Sequence, residues 1–193
     1  MITHKNSFFA HLVPGTKKPC DDATQNLINK KALKRDGDKI ITENKVTAIY
    51  VLKKIIPIAK QRMFVVIDTR MPKEMDVLMN SGVCKLIEKT IWKSISVSIL
   101  FISETEEEAK NNPIFSVVKK GFEGQMLVDY LYLPTNLSHP FSGISVDTHA
   151  GRIRESKKLA VACFTDGNIS NCCVYAMHYL FPRLKTLGSI SLL

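Results

Sequence analysis

Apolar positions along this chain change their period several times, and each change predicts an element. From Thr42 to Ile56 they fall at Val46, Ile49, Tyr50, Leu52, Ile55 and Ile56, close to helical spacing. Thr42 or Asn44 can cap that helix, Lys53 and Lys54 suit its negative end, and Pro57 ends or kinks it. The run MFVVIDT at 63–69 is compact and β-branched, as a strand requires. Pro72 suits a first helical turn, and Met75, Leu78, Met79, Val83, Leu86 and Ile87 form an apolar face to about Thr90. Gly82 weakens or divides that helix. At 94–103, Ile95, Val97, Ile99 and Phe101 alternate with serines before both faces turn apolar, which is the clearest strand pattern in the chain.

The remaining pattern is less regular. A short helix is expected over 22–35, capped by Asp21 or Asp22, with Leu27, Ile28 and Leu33 as a narrow apolar stripe. Three further strands are expected at 114–118, 125–133 and 158–164, with Gly121 and Gly124 turning a hairpin between the first two. Residues 134–143 read as a long loop, and 170–180 as a helix ended by Pro182. Together these elements predict an α+β fold. It has an antiparallel or mixed sheet of about five strands and two to four packed helices. A basic, partly flexible N-terminal arm over 1–42 is expected to precede a single domain over 43–193.

Charge gives that division its meaning. Residues 1–62 hold 13 of the 27 Lys and Arg but only 5 of the 18 Asp and Glu, and so carry +8 of the net +9. A basic segment before a near-neutral body meets an anionic polymer or surface without charging the core. The expected contacts are Lys17, Lys18, Lys30, Lys31, Lys34 and Arg35, extended by Lys53 and Lys54 on the following helix. The expected partner is nucleic acid or an anionic lipid surface, and binding through such residues should fall steeply with salt. By composition alone this layout resembles that of small viral matrix or nucleic-acid-binding accessory proteins, which also predicts self-association into a homo-oligomer. No apolar run reaches the roughly 18–20 residues that span a bilayer. The first fifteen residues lack the apolar stretch of a secretory signal. Five scattered cysteines predict reduced thiols and an intracellular protein, cytoplasmic or nuclear, at most peripheral to a membrane.

Motifs for catalysis are sparse. The phosphate-loop lysine motif, GxGxxG, GxSxG and HExxH are all absent. The most enzyme-like constellation is Cys172 or Cys173 with His149 as base and Asp147 as its orienter, the parts of a cysteine-dependent hydrolase or transferase. Cysteines in such runs are more often packing residues. Cys163, Cys172, Cys173 and His178 have no metal-knuckle spacing, so no metal site and no cofactor are expected. Asp68 and Asp129 could serve a two-carboxylate metal nuclease, but an ion pair with Arg70 is the simpler role for Asp68. Tyr130 and Tyr132 share one strand face, where they could stack bases or line the core. The leading expectation is a non-enzymatic interaction or structural protein.

Overall fold

The computed structural model describes residues 20–124, 127–137, 140–155 and 160–167. Among them are six helices: α1 Asp22–Lys34, α2 Lys45–Ile55, α3 Pro72–Leu78, α4 Ser81–Ile91, α5 Glu106–Asn111 and α6 Pro113–Glu123. The strands are β1 Ile40–Ile41, β2 Arg62–Asp68, β3 Ser96–Ser103, β4 Val128–Pro134, β5 Phe141–Val146, β6 Ala150–Glu155 and β7 Val161–Phe164. They form one sheet in the order β1-β7-β6-β5-β2-β3-β4. β2, β3 and β4 are parallel, linked by α3–α4 and α5–α6, whereas β5, β6, β7 and β1 join antiparallel. The fold is therefore α+β with a mixed sheet, larger than the five strands expected.

Local chemistry sets the helix limits. Asp21 accepts from Thr24 N–H at 2.9 Å and starts α1; the same bond holds its carboxyl below the ordinary range. Asn44 starts α2 through Val46 N–H, and Pro57 falls in a single 3₁₀ turn that closes it. The helix expected from Pro72 to Thr90 does divide before Gly82, because Asn80 turns its side-chain oxygen to Gly82 N–H and opens α4. Thr105 caps α5, whose first turn holds Glu106, Glu107 and Glu108.

Two expectations are corrected here. Residues 114–118 are helical, because Asn112 caps, Pro113 takes the first turn, and Ile114, Val117, Val118 and Gly121 are buried at helical spacing. No hairpin crosses Gly121 and Gly124; Gly124 ends α6. The loop expected over 134–143 stops at Pro140, since Phe141–Val146 is a central strand. The stretch 170–180 lies outside the described residues.

Period-two burial divides the core between the two sheet faces. Met63, Val65, Ile67, Val97, Ile99, Phe101, Ile144 and Val146 join the helices in the larger cluster. Val66, Leu100, Ile102, Leu133, Phe141, Ile153 and Cys163 form a second on the other face. Part of the expected arm belongs to this body. Ile28 and Ile40 are buried in the larger cluster, and β1 pairs with β7. In α1, however, Leu27 and Leu33 point outward at 51% and 85% exposure, so the expected stripe is reduced to Ile28. Residues 1–19 lie outside the described residues.

One buried ion pair ties these parts together. Arg152 on β6 is 1% exposed and meets Glu74 of α3 at 2.5 and 3.2 Å. Its remaining donors reach Thr42 Oγ1 at 2.9 Å and the Thr42 carbonyl at 3.3 Å. Arg154 bridges Glu74 and Glu43, each at 3.3 Å, and Glu43 accepts the Ala160 N–H. Removing one member leaves an unpaired buried charge, so Glu74→Ala should destabilise the fold by about 3–5 kcal/mol in urea unfolding. An apolar replacement of Glu74 and Arg152 together should recover much of that loss; an unchanged midpoint for Glu74→Ala would refute the bracing role.

Candidate nucleic-acid interface

The loops before the parallel strands and after β5 and β7 meet at one end of the sheet. Asp147 follows β5 with φ 48°, a left-handed turn that aims its carboxylate back across the sheet. Its Oδ1 accepts from Gln61 N–H at 3.0 Å and Arg62 N–H at 2.8 Å, and Oδ2 from Lys60 N–H at 2.9 Å. Three amides on one carboxylate fix the segment leading into β2. Their side chains are left outside: Lys60, Gln61 and Arg62 are exposed and, with Asp147, Thr148 and His149, line a cleft of about 210 Å³.

Neighbouring bonds hold the other wall. Thr165 Oγ1 donates to the Thr148 carbonyl at 2.7 Å, and Thr165 N–H donates to the His149 carbonyl at 2.7 Å. Gly167, at φ 109°, donates its N–H to Thr165 Oγ1 at 3.1 Å. Thr148 Oγ1 and His149 Nδ1 are 3.4 Å apart. Asp147 and His149 thus share a strand end, but both carboxylate oxygens face backbone amides.

The expected basic contacts fall in three settings. Lys17 and Lys18 lie outside the described residues. Lys30, Lys34 and Arg35 are exposed at and beyond the last turn of α1, while Lys31 pairs with Asp38 and with Asp36 at 3.6 Å. Those partners raise the Lys31 ammonium above its ordinary range. Lys54 lies over the Tyr50 ring at 5.4 Å, and the exposed Lys53 runs beside Gly82. Asp36 bridges to Thr165, which brings Arg35 to the same end of the sheet as the cleft. Lys60 and Arg62 belong to the basic first 62 residues of the sequence, and His149 stands out there as a candidate base; Thr148 carries no signal, because only the strand order brings it into the cleft.

The other candidates separate. Asp68 sits at the far end of β2, fully buried, bound by Arg70 Nε at 2.9 Å and Nη2 at 2.7 Å and by Phe141 N–H at 3.2 Å. Hydrogen bonding to Asp68 raises the Arg70 guanidinium, and Arg70 Nη1 also holds the Thr135 carbonyl at 2.8 Å. Asp129 lies near the opposite end of β4, where Ser98 Oγ donates to it at 3.1 Å, so the two carboxylates share no cleft. Tyr130 belongs to the core: its ring stacks on Phe101, Phe115 meets its edge, and its hydroxyl donates to the Ala109 carbonyl at 3.0 Å. Cys172, Cys173, His139 and His178 lie outside the described residues. Cys20, Cys84 and Cys163 are buried and joined in no disulfide, and burial pushes the Cys84 thiol up to about 12. Among the described residues no group of three His, Cys, Asp or Glu gathers as a metal centre, and no helix is long and apolar enough to cross a membrane.

Solved structures share the fold with little sequence likeness. TrmBL2, an archaeal chromatin protein whose structure shows a novel mode of DNA binding, aligns at TM-score 0.56 and 11% identity over 86% of this chain. This chain spans 60% of the length of that TrmBL2 chain. Nuc from Salmonella typhimurium, a phospholipase D family member, aligns at TM-score 0.50 and 11% identity, covering 78% of this chain and 94% of that one. No protein-family model matches the chain, and no curated protein matches it in sequence.

Asp147→Ala would strip three amides of their acceptor and should cost about 1–3 kcal/mol in urea unfolding. Amide exchange at 60–62 should quicken with it. Exchange as slow as in the parent protein would show that other bonds hold this segment.

Proposed function

We propose that this chain is a non-enzymatic nucleic-acid-binding protein whose basic N-terminal region makes the electrostatic contact. The observation that carries the reading is charge segregation: +8 of the net +9 falls in residues 1–62. The helix in that region leaves Lys30, Lys34 and Arg35 exposed beside a body of almost balanced charge. Cations so placed neutralise phosphates and release counterions, which needs no catalytic group. The fold likeness to a DNA-binding chromatin protein is in keeping with this. The same fold occurs in a phospholipase D family member, so architecture alone does not choose between binding and catalysis. Asp147 spends its carboxylate on backbone amides, which favours a binding role for that strand end over a Cys–His–Asp relay.

Fluorescence anisotropy of a labelled oligonucleotide, titrated at several salt concentrations, tests the reading. Lys30, Lys34 and Arg35 changed together to Ala should weaken binding and lower the slope of log affinity against log salt by about 2–3. Unchanged affinity and slope would make this helix ordinary solvated surface. Binding to anionic vesicles in the absence of binding to any oligonucleotide would replace nucleic acid with lipid as the partner.

A further inference from the structure

α1 meets the body along a narrow line and leaves a broad face outside. Ile28 is fully buried and Ala32 packs against the same cluster. At about 3.6 residues per turn the opposite side carries, in order round the axis, Leu33, Asn26, Lys30, Ala23, Lys34 and Leu27. All six are exposed, Leu33 at 85% and Leu27 at 51%. Exposed leucines are ordinary by themselves. Here two of them alternate on one helix face with an amide and two ammonium groups.

The charge of this face is positive. Lys30 stands at its centre, Lys34 beside it, and Arg35 follows the last turn. Lys54 of α2 adds a cation on the Leu33 side: it lies over the Tyr50 ring, and the Tyr50 hydroxyl donates to Asn29 Oδ1 at 3.3 Å. From Ala23 to Arg35 the chain contains no acid, and neither do α2 and β7, the elements packed against α1. Carboxylates occur only at the ends. Asp21 and Asp22 open the helix, with Asp21 engaged as its cap. Asp36 and Asp38 follow it and pair with Lys31, outside this face, and Asp166 comes after Thr165, to which Asp36 bridges.

The order of residues round the helix selects the anion. A helix lying in a bilayer surface keeps its apolar residues on one side and its cations on the other. Asn26 and Lys30 separate the two leucines here, so immersing both leucines would also immerse an amide and an ammonium. The major groove of B-form DNA presents a mixed surface instead, with base-edge donors and acceptors beside thymine methyl groups. Its width of ~12 Å matches the ~10–12 Å diameter of a helix.

Resting on the nucleic-acid reading above, we infer that α1 lies in the major groove of duplex DNA. Leu27 and Leu33 meet thymine methyl groups, and Asn26 faces base edges, where an amide can bond adenine N6 and N7 together. Lys34, Arg35 and Lys54 take phosphates at the rims of the groove.

Two fluorescein-labelled duplexes, twenty alternating dA-dT pairs and twenty alternating dA-dU pairs, differ only in the thymine methyl groups. In anisotropy titrations the parent chain should bind the dA-dT duplex about fourfold tighter or more, the effect of one buried methyl group. Leu27→Ala with Leu33→Ala should bring the two midpoints within about twofold of each other. Lys30→Ala with Lys34→Ala should weaken both duplexes alike and keep their ratio. A twenty-base oligo(dT) should bind about tenfold more weakly than the dA-dT duplex. Every replaced side chain is exposed, and unaltered urea unfolding midpoints will show that the variants fold. Equal binding of the two duplexes by the parent chain, a ratio that survives the leucine substitutions, or oligo(dT) bound as tightly as duplex would overturn the groove placement and leave nucleic-acid binding standing. No binding to either duplex or to oligo(dT) at any salt concentration would overturn both.

Discussion

The guanidinium of Arg152, closed inside the fold against Glu74, is the constraint on which the rest of the arrangement depends. A charge so deep is tolerated only when its donors find acceptors, and here these come from two separate parts of the chain, so that the bonds join three. Glu74 brings in the first crossover helix, Thr42 the segment joining β1 to α2, and β6 itself carries the arginine. Apolar packing alone could let the N-terminal segment slide along the sheet edge. Directed hydrogen bonds fix it in one register, with Ile40 opposite Ala162 and Ile41 opposite Val161. That register determines where α1 ends, and hence where Arg35 sits.

A second carboxylate uses the same device at the surface. Asp147 collects three amides from the approach to β2 and so converts a loop into a fixed wall. Because the bonds run through the backbone, the Lys60 and Arg62 side chains remain available to solvent. Asp68 does the opposite at the far end of the same strand, where it binds the Arg70 guanidinium itself. At one end of the strand the Lys60 and Arg62 side chains therefore reach solvent, and at the other Arg70 is held in a pair.

Much of the fold was legible in the sequence because caps and periodicity are local. Asp21, Asn44, Pro57 and Gly82 each act within a few residues of themselves, and the structure follows them closely. The misreadings share a cause. In 114–118 a short apolar run was compatible with strand or helix, and the deciding residues were Asn112 and Pro113 just before it. β5 was hidden by its serines and glycine, which are buried because strands flank it on both sides, and β6 by two arginines whose partners lie 78 or more residues away. The cleft was half legible: Asp147 and His149 stood out as a pair, but as catalytic groups. Nothing local indicates that the Asp147 carboxylate meets amides some 85 positions earlier.

Photo-cross-linking locates the anion most directly. An oligonucleotide carrying a photoreactive base, irradiated with the full chain and mapped by peptide mass spectrometry, should mark the peptides around Lys30, Lys34 and Arg35. Marks confined to Arg70, Thr135 and their neighbours would contradict the placement of the partner on the basic N-terminal region.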